Sequence, residues 1–169
     1  MTASRLPNLP APPKAFDPTG SQRMEAVLRI KRHYPEMELP SRAHPSDAGL
    51  DLTAMAFEPL RPGVYAFDTG ISVQLPTGYY CEIVARSSIV KTDFMLANGV
   101  GIIDPDYRGR IRVVLRFLGH GDGTAPARAL IGTRVAQLVV RRREAVRVEG
   151  VDELKSTQRG EGGFGSTGR

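Results

Sequence analysis

The chain has 169 residues, of which 41% are hydrophobic and 24% charged, enough for one compact domain with a full core and ordinary for a soluble globular protein. Lys and Arg outnumber Asp and Glu by 23 to 18, and the resulting +5 reads as a solubility feature that also suits anionic partners such as nucleotides, phosphates or nucleic acid. The single Cys81 excludes an intrachain disulfide framework and fits a reducing cytoplasm; within "YYCEIVA" it reads as a small buried hydrophobe rather than a nucleophile.

In chain order, residues 1–23 form a Pro-rich extension with too little apolar content to fold alone and no apolar core of a secretory signal. No run of residues is long and apolar enough to span a bilayer, so a cytoplasmic protein without a membrane partner is expected. From Met24 the pattern changes: "AVLRIKR" alternates as a first strand, and "PEMELPSRAHPSDAG" after it is turn and loop material. "GVYAFDTGISVQLP" and "YYCEIVARSS" read as strands separated by a turn at Thr77-Gly78. A short helix is expected around "SSIVKTDFM". "IIDPDYRGRI" reads as a hairpin, with Pro105 fixing φ in the turn and Gly109 closing it. "RIRVVLRFL" is a strand in which β-branched and aromatic residues alternate with arginines, and "TRVAQLVVRRREAVRVEGV" continues in the same style. Many short strands with Gly and Pro turns predict an all-β sandwich, barrel or jelly roll. The last eleven residues, "RGEGGFGSTGR", hold five glycines and one large apolar side chain; such a tail is either a frayed end or a segment that orders over a ligand.

Several polar residues stand where chemistry is possible. Asp104 and Asp106 are both turn formers by type, and Asp106 suits that role. Asp104 follows Ile102-Ile103 directly, where partial desolvation of its carboxylate is expected and where it can activate a water. Arg86, Ser87 and Ser88 close an apolar strand with a forked cation and two hydroxyls, which is either an ordinary surface turn or a phosphate site. Gln137 lies within the apolar "RVAQLVV" and either pairs with backbone or faces a ligand. Asp51, between Leu50 and Leu52, is either an outward strand residue or a site residue. In the tail, Phe164 can stack on a flat ring, and the hydroxyls and arginines near it suit phosphate, although no Walker-type loop is present. His33, His44 and His120 have no metal-ligand spacing and no Ser-His-Asp arrangement.

Taken in order, "AGLDLTA" (48–54), "RSS" (86–88), "NGVGIIDPDYRGRI" (98–111), "RVAQLVV" (134–140) and "RGEGGFGSTGR" (159–169) resemble the five motifs of the trimeric dUTPases, the deoxyuridine triphosphate nucleotidohydrolases. The resemblance runs from about Met24 to Arg169. It implies a jelly-roll subunit, a distorted β-barrel, with domain limits of 24–158 and a flexible tail at 159–169 that closes over an active site. It also implies a homotrimer whose three active sites are each built by three chains, and hydrolysis of dUTP to dUMP and pyrophosphate with magnesium. That activity keeps uracil out of DNA and supplies dUMP for dTMP synthesis.

Carried over residue by residue, Asp104 resembles the aspartate that activates the attacking water at the α-phosphorus. Asn98 and the backbone at Ile102 and Ile103 would read the uracil edge, and Tyr107 would lie under the deoxyribose and exclude a 2′-hydroxyl. Arg86, Ser87 and Ser88 would hold phosphates with Gln137 close by, and Arg112 matches a substrate-contacting position. Phe164 would cover the uracil with Gly165 beside it, while Arg159, Ser166 and Thr167 would grip the γ-phosphate. Asp51 would support the metal and water shell indirectly. No residue is expected to ligate Mg²⁺ directly, since the triphosphate and waters hold it. No stable nucleic-acid partner is implied.

The chain departs from the family in its second motif, which commonly reads Pro-Arg-Ser-Gly and here reads Ala85-Arg86-Ser87-Ser88. Arg-Ser-Ser is shared with the dCTP deaminases on the same fold. Those relatives use a glutamate at the position of Val114 and tend to have tryptophan at that of Tyr107; no Asp or Glu occurs here between Tyr107 and Gly121. Deamination without that proton shuttle ranks below dUTP hydrolysis. The basic strand and the Pro-rich N-terminus also suit a non-catalytic binding or regulatory protein on this scaffold, but intact Asp104, Asn98, Tyr107 and the whole tail argue against it.

Overall fold

The computed structural model describes residues 26–163. Every element is short, as the Gly and Pro punctuation predicts. In chain order the first strands are β1 (Arg29–Arg32), β2 (Leu50–Thr53), β3 (Ala56–Arg61), β4 (Val64–Asp68), β5 (Ile71–Gln74) and β6 (Tyr79–Ala85). A 3-10 turn (Ser87–Lys91) leads to β7 (Phe94–Leu96), β8 (Gly101–Ile103), β9 (Arg112–Phe117), helix α1 (Thr124–Ala129) and β10 (Arg134–Arg142).

The strands form two four-stranded antiparallel sheets, ordered β2-β10-β6-β8 and β3-β4-β9-β7, with β1 and β5 as a separate pair. This is the all-β jelly-roll architecture that the sequence predicts. The core lies between the sheets, where Leu52, Phe67, Ile71, Cys81, Val113, Leu115 and Leu138 are fully buried. Period-two alternation builds it: in β9, Val113 and Leu115 point inward while Arg112 and Arg116 face out. Phe57, Tyr65, Phe67, Phe94 and Phe117 add edge-on and tilted ring contacts at the β3-β4-β9-β7 side.

Two local expectations change. The stretch from Ile102 to Ile111 is no hairpin: β8 pairs with β6 in one sheet, while β9 pairs with β4 and β7 in the other. The segment is a corner that carries the chain between sheets. Ile111 pins its far end, fully buried, donating its amide to Ile71 and accepting from the Thr69 amide and hydroxyl. The helix expected around residues 87–95 contracts to the 3-10 turn, because Phe94 and Leu96 are drawn into the core as β7. The α-helix falls instead at Thr124–Ala129, entered through Gly123 at φ 80 and an Asp122 carboxylate that accepts from the Thr124 amide at 2.9 Å. Pro126 fits there because an amide in the first helical turn needs no partner.

After β10, residues 143–158 run without regular structure, and Val146, Val148 and Leu154 are exposed. Among the described residues no helix is long and apolar enough to cross a membrane.

Candidate active site

Asp51 on β2 points outward, since Leu52 beside it is fully buried. Arg86 follows the last residue of β6, and its guanidinium reaches back to Asp51: Nε donates to Oδ1 at 2.7 Å and Nη2 to Oδ2 at 3.3 Å. Nη1 donates to Ser88 Oγ at 3.2 Å and to the Arg134 carbonyl at 3.4 Å. Arg134 completes the group by donating to Asp51 Oδ2 at 3.0 Å.

Arg134 is a residue that the sequence reading did not single out. Gln137 faces out opposite Asp51, so strict alternation would turn Arg134, three residues earlier, into the core. A β-bulge reverses this: β10 pairs Arg134 with Thr53 and Ala136 with Leu52, leaving Val135 and Ala136 both buried. The extra residue shifts parity by one and aims Arg134 at the carboxylate. No local signal in "TRVAQL" marks the bulge.

Gln137 pairs with backbone and also borders open space. Its Nε2 donates to the Ala85 carbonyl at 3.2 Å, and its side chain lines a cavity of about 260 Å³ together with Asp47, Gly49, Asp51, Arg86 and Ser87. The space beside it depends on Gly49, where a Cβ would lie 2.3 Å from Gln137 Oε1 and 2.9 Å from Gln137 Cβ. The Asp51, Arg86 and Arg134 group by itself carries one net positive charge, and Asp47 brings a second carboxylate to the cavity lining. Ser87, which lines it, and Ser88, bonded to Arg86, are both exposed.

The remaining candidates lie elsewhere on the chain. β8 is the edge of its sheet, so one side of Gly101–Ile103 has no strand partner among the described residues. Ile103 points inward and Ile102 is 55% exposed. Alternation then turns Asp104 outward, and it is exposed rather than partly desolvated: two apolar neighbours in sequence do not bury a residue when a strand's faces alternate. Asn98 is exposed, and its amide lies close over Gly101, where a Cβ would sit 3.3 Å from Nδ2. Tyr107 is partly exposed and donates its hydroxyl to the Arg110 carbonyl at 3.1 Å. Arg112 is ion-paired with Glu58 and lines a second cavity of about 430 Å³ with Tyr107, Asp68 and Arg110.

Register separates the two groups. Ile103 pairs with Cys81, five residues before Arg86 along β6. Asp104, one residue further on, falls level with Tyr80, so at about 3.3 Å per residue it stands roughly 20 Å along that strand from Arg86, at its opposite end. Arg159 is exposed and donates to the Gly162 carbonyl at 2.8 Å within its own turn. Phe164, Gly165, Ser166 and Thr167 lie outside the described residues.

The family model for dUTPase matches residues 35–168. The chain belongs to the dUTPase family. The deoxyuridine 5′-triphosphate nucleotidohydrolase of Thermobifida fusca is 41% identical over 143 residues, covering 83% of this chain and 78% of that protein. Its counterpart in Streptomyces coelicolor is 43% identical over 141 residues, covering 82% and 75%. Among solved structures, the dUTPase of Staphylococcus bacteriophage 80alpha with dUPNHPP superimposes with a TM-score of 0.66 at 25% identity, over 85% of this chain and 99% of that one. A variant of the same phage protein gives 0.69 at 24% identity. The dUTPase fold thus extends over most of this chain.

Among the described residues no group of three or more His, Cys, Asp or Glu side chains converges as a metal site. Of the two carboxylates lining the 260 Å³ cavity, Asp51 is engaged by both arginines and Asp47 accepts the His44 amide at 2.8 Å.

Proposed function

We propose that this chain hydrolyses dUTP to dUMP and pyrophosphate, with Asp104 as the base for the attacking water. One observation carries the reading: a dUTPase-family chain holds a guanidinium-lined cavity and, at the far end of the same strand, an edge strand that ends on a solvent-facing carboxylate.

The chemistry follows from these parts. Arg86, Ser87, Ser88 and Gln137 take the phosphates, where positive charge offsets the charge that develops as pyrophosphate leaves. The open edge of β8 offers backbone donors and acceptors to the uracil edge at Ile102 and Ile103, with Asn98 folded over Gly101 beside them. Cytosine reverses that donor and acceptor pattern and leaves buried polar groups unpaired. Tyr107 lies under the deoxyribose and Arg112 contacts the substrate once freed from Glu58. Asp104 takes a proton from water as the water oxygen bonds the α-phosphorus and the bond to the β-phosphate oxygen breaks. Phe164 with Gly165 covers the base, and Arg159, Ser166 and Thr167 hold the γ-phosphate as the tail closes and excludes water.

Magnesium fits as an ion carried by the triphosphate and its waters, because the carboxylates at the cavity are already committed to arginines and backbone. When bound it neutralises phosphate charge; no residue of this chain is assigned to it. The roughly 20 Å between Arg86 and Asp104 on one chain supports a site shared between copies in a homotrimer, each copy giving its arginine cavity to one site and its β8 edge to another.

The test is pyrophosphate and ammonia release from dUTP, dCTP, dTTP and UTP. Pyrophosphate from dUTP well above the other three is expected; ammonia from dCTP, or equal release from dTTP or UTP, would overturn the reading.

A further inference from the structure

The corner that carries Asp104 and Tyr107 ends at Arg110, which has had no role so far. Arg110 Nη1 lies 2.5 Å from Asp68 Oδ2, and its guanidinium stands 5.6 Å from the centroid of the Tyr34 ring. Both anchors are themselves held. Asp68 ends β4, and its other oxygen accepts the Gly70 amide at 2.7 Å. Gly70 sits at φ +72, and a Cβ there would lie 2.8 Å from Tyr34 Cδ2, so Tyr34 packs against a position that only glycine fits. Tyr34 also packs on the core.

From Arg110 the contacts run back into the corner. Its carbonyl accepts the Tyr107 hydroxyl at 3.1 Å, and the Tyr107 amide donates to the Asp104 carbonyl at 3.1 Å. Gly109 lies under the same ring, where a Cβ would be 2.4 Å from the Tyr107 hydroxyl oxygen. The turn is thus closed by one tyrosine hydroxyl on the residue whose side chain is bolted to the β4–β5 corner. A charge-assisted bond and a cation–π contact on one planar guanidinium together restrain it.

We propose that Arg110 is a positioning residue: clamped by Asp68 and Tyr34, it holds the segment from Asp104 to Arg110 in one geometry, so that Tyr107 and Asp104 meet the nucleotide aligned. This rests on the function proposed above for those two residues. Misplacing reacting groups by a fraction of their contact distance is enough to slow a step strongly.

The test combines amide hydrogen exchange with kinetics on the full chain, using Arg110→Met, Arg110→Lys and Asp68→Asn. Exchange across residues 104–110 should quicken on the order of tenfold in Arg110→Met and Asp68→Asn, with β9 unchanged, and kcat for dUTP should fall by a similar factor. The preference for dUTP over UTP should narrow in the same variants, because a loosened Tyr107 guards the 2′ position poorly; loss of global stability alone would not change that ratio. Arg110→Lys, which keeps the charge and loses the planar fork, should lie between. Asp68→Asn keeps an acceptor for the Gly70 amide, so it serves if Arg110→Met does not fold. Unchanged exchange across 104–110, or kcat and dUTP preference within twofold of the parent chain, would overturn the clamp. If the parent chain released no pyrophosphate from dUTP, the proposed function would fall, and exchange alone would decide the clamp.

Discussion

Asp51 and Arg86 form a two-pronged ion pair, Nε to Oδ1 at 2.7 Å and Nη2 to Oδ2 at 3.3 Å, that joins β2 to the end of β6. The carboxylate aims the guanidinium as a fork rather than leaving it a loose charge. Arg134, brought to the same face by the bulge, adds a second cation at 3.0 Å, so these three side chains together keep one net positive charge. Asp51→Asn should therefore leave two arginines facing each other without their aiming partner. A fall in kcat/KM on the order of tenfold or more is expected, carried by both KM and kcat, and steady-state pyrophosphate release measures it.

Gly49 sets the room for Gln137. In Gly49→Ala the new methyl meets Gln137 Cβ at 2.9 Å as well as its amide oxygen, so the side chain must leave its bond to the Ala85 carbonyl. The expected result is weaker nucleotide binding together with about 1–3 kcal/mol of lost stability from overpacking. Calorimetric binding of a non-hydrolysable dUTP analogue and a denaturant melt read the two effects separately.

Asp104→Asn preserves shape and hydrogen-bonding capacity and removes the proton acceptor. It should bind dUTP much as the parent chain does and lose roughly 10²- to 10⁴-fold in turnover. Undiminished pyrophosphate release would remove Asp104 from the role of base.

Truncation after Gln158 removes Arg159, Phe164, Ser166 and Thr167 but none of the core, in which no described residue lies beyond Val140. The truncated chain should keep its melting temperature and its assembly state by sedimentation while hydrolysis is severely impaired. Normal kinetics would make the tail a frayed end.

Cys81 is fully buried, and burial pushes its thiol up to about 11. The folded state holds this proton more tightly than the unfolded chain, whose thiol titrates at about 8.5. The contribution is thus complete below that value and is lost as pH rises towards about 11. Native protein at neutral pH should resist iodoacetamide, while the urea-unfolded chain labels promptly. Fast native labelling would place the thiol outside the core.

Much of this protein is legible in its sequence because the signals are local. Alternation in "RIRVVLRF" sets which faces of β9 are apolar, Gly and Pro mark where strands stop, and the five motifs in order identify the family without coordinates. Other features depend on which strand lies beside which. The turn residues after Ile103 shape the local backbone but do not choose a sheet, so a segment that reads as a hairpin is a corner between two sheets. Strand parity decides that Asp104 faces solvent, a one-residue bulge decides that Arg134 joins Asp51, and Arg110 gains its importance only because Asp68 and Tyr34, distant in sequence, meet it. Composition and periodicity are properties of neighbours along the chain. Pairing, bulging and clamping are contacts between residues far apart along it, and only the folded tertiary structure brings those together.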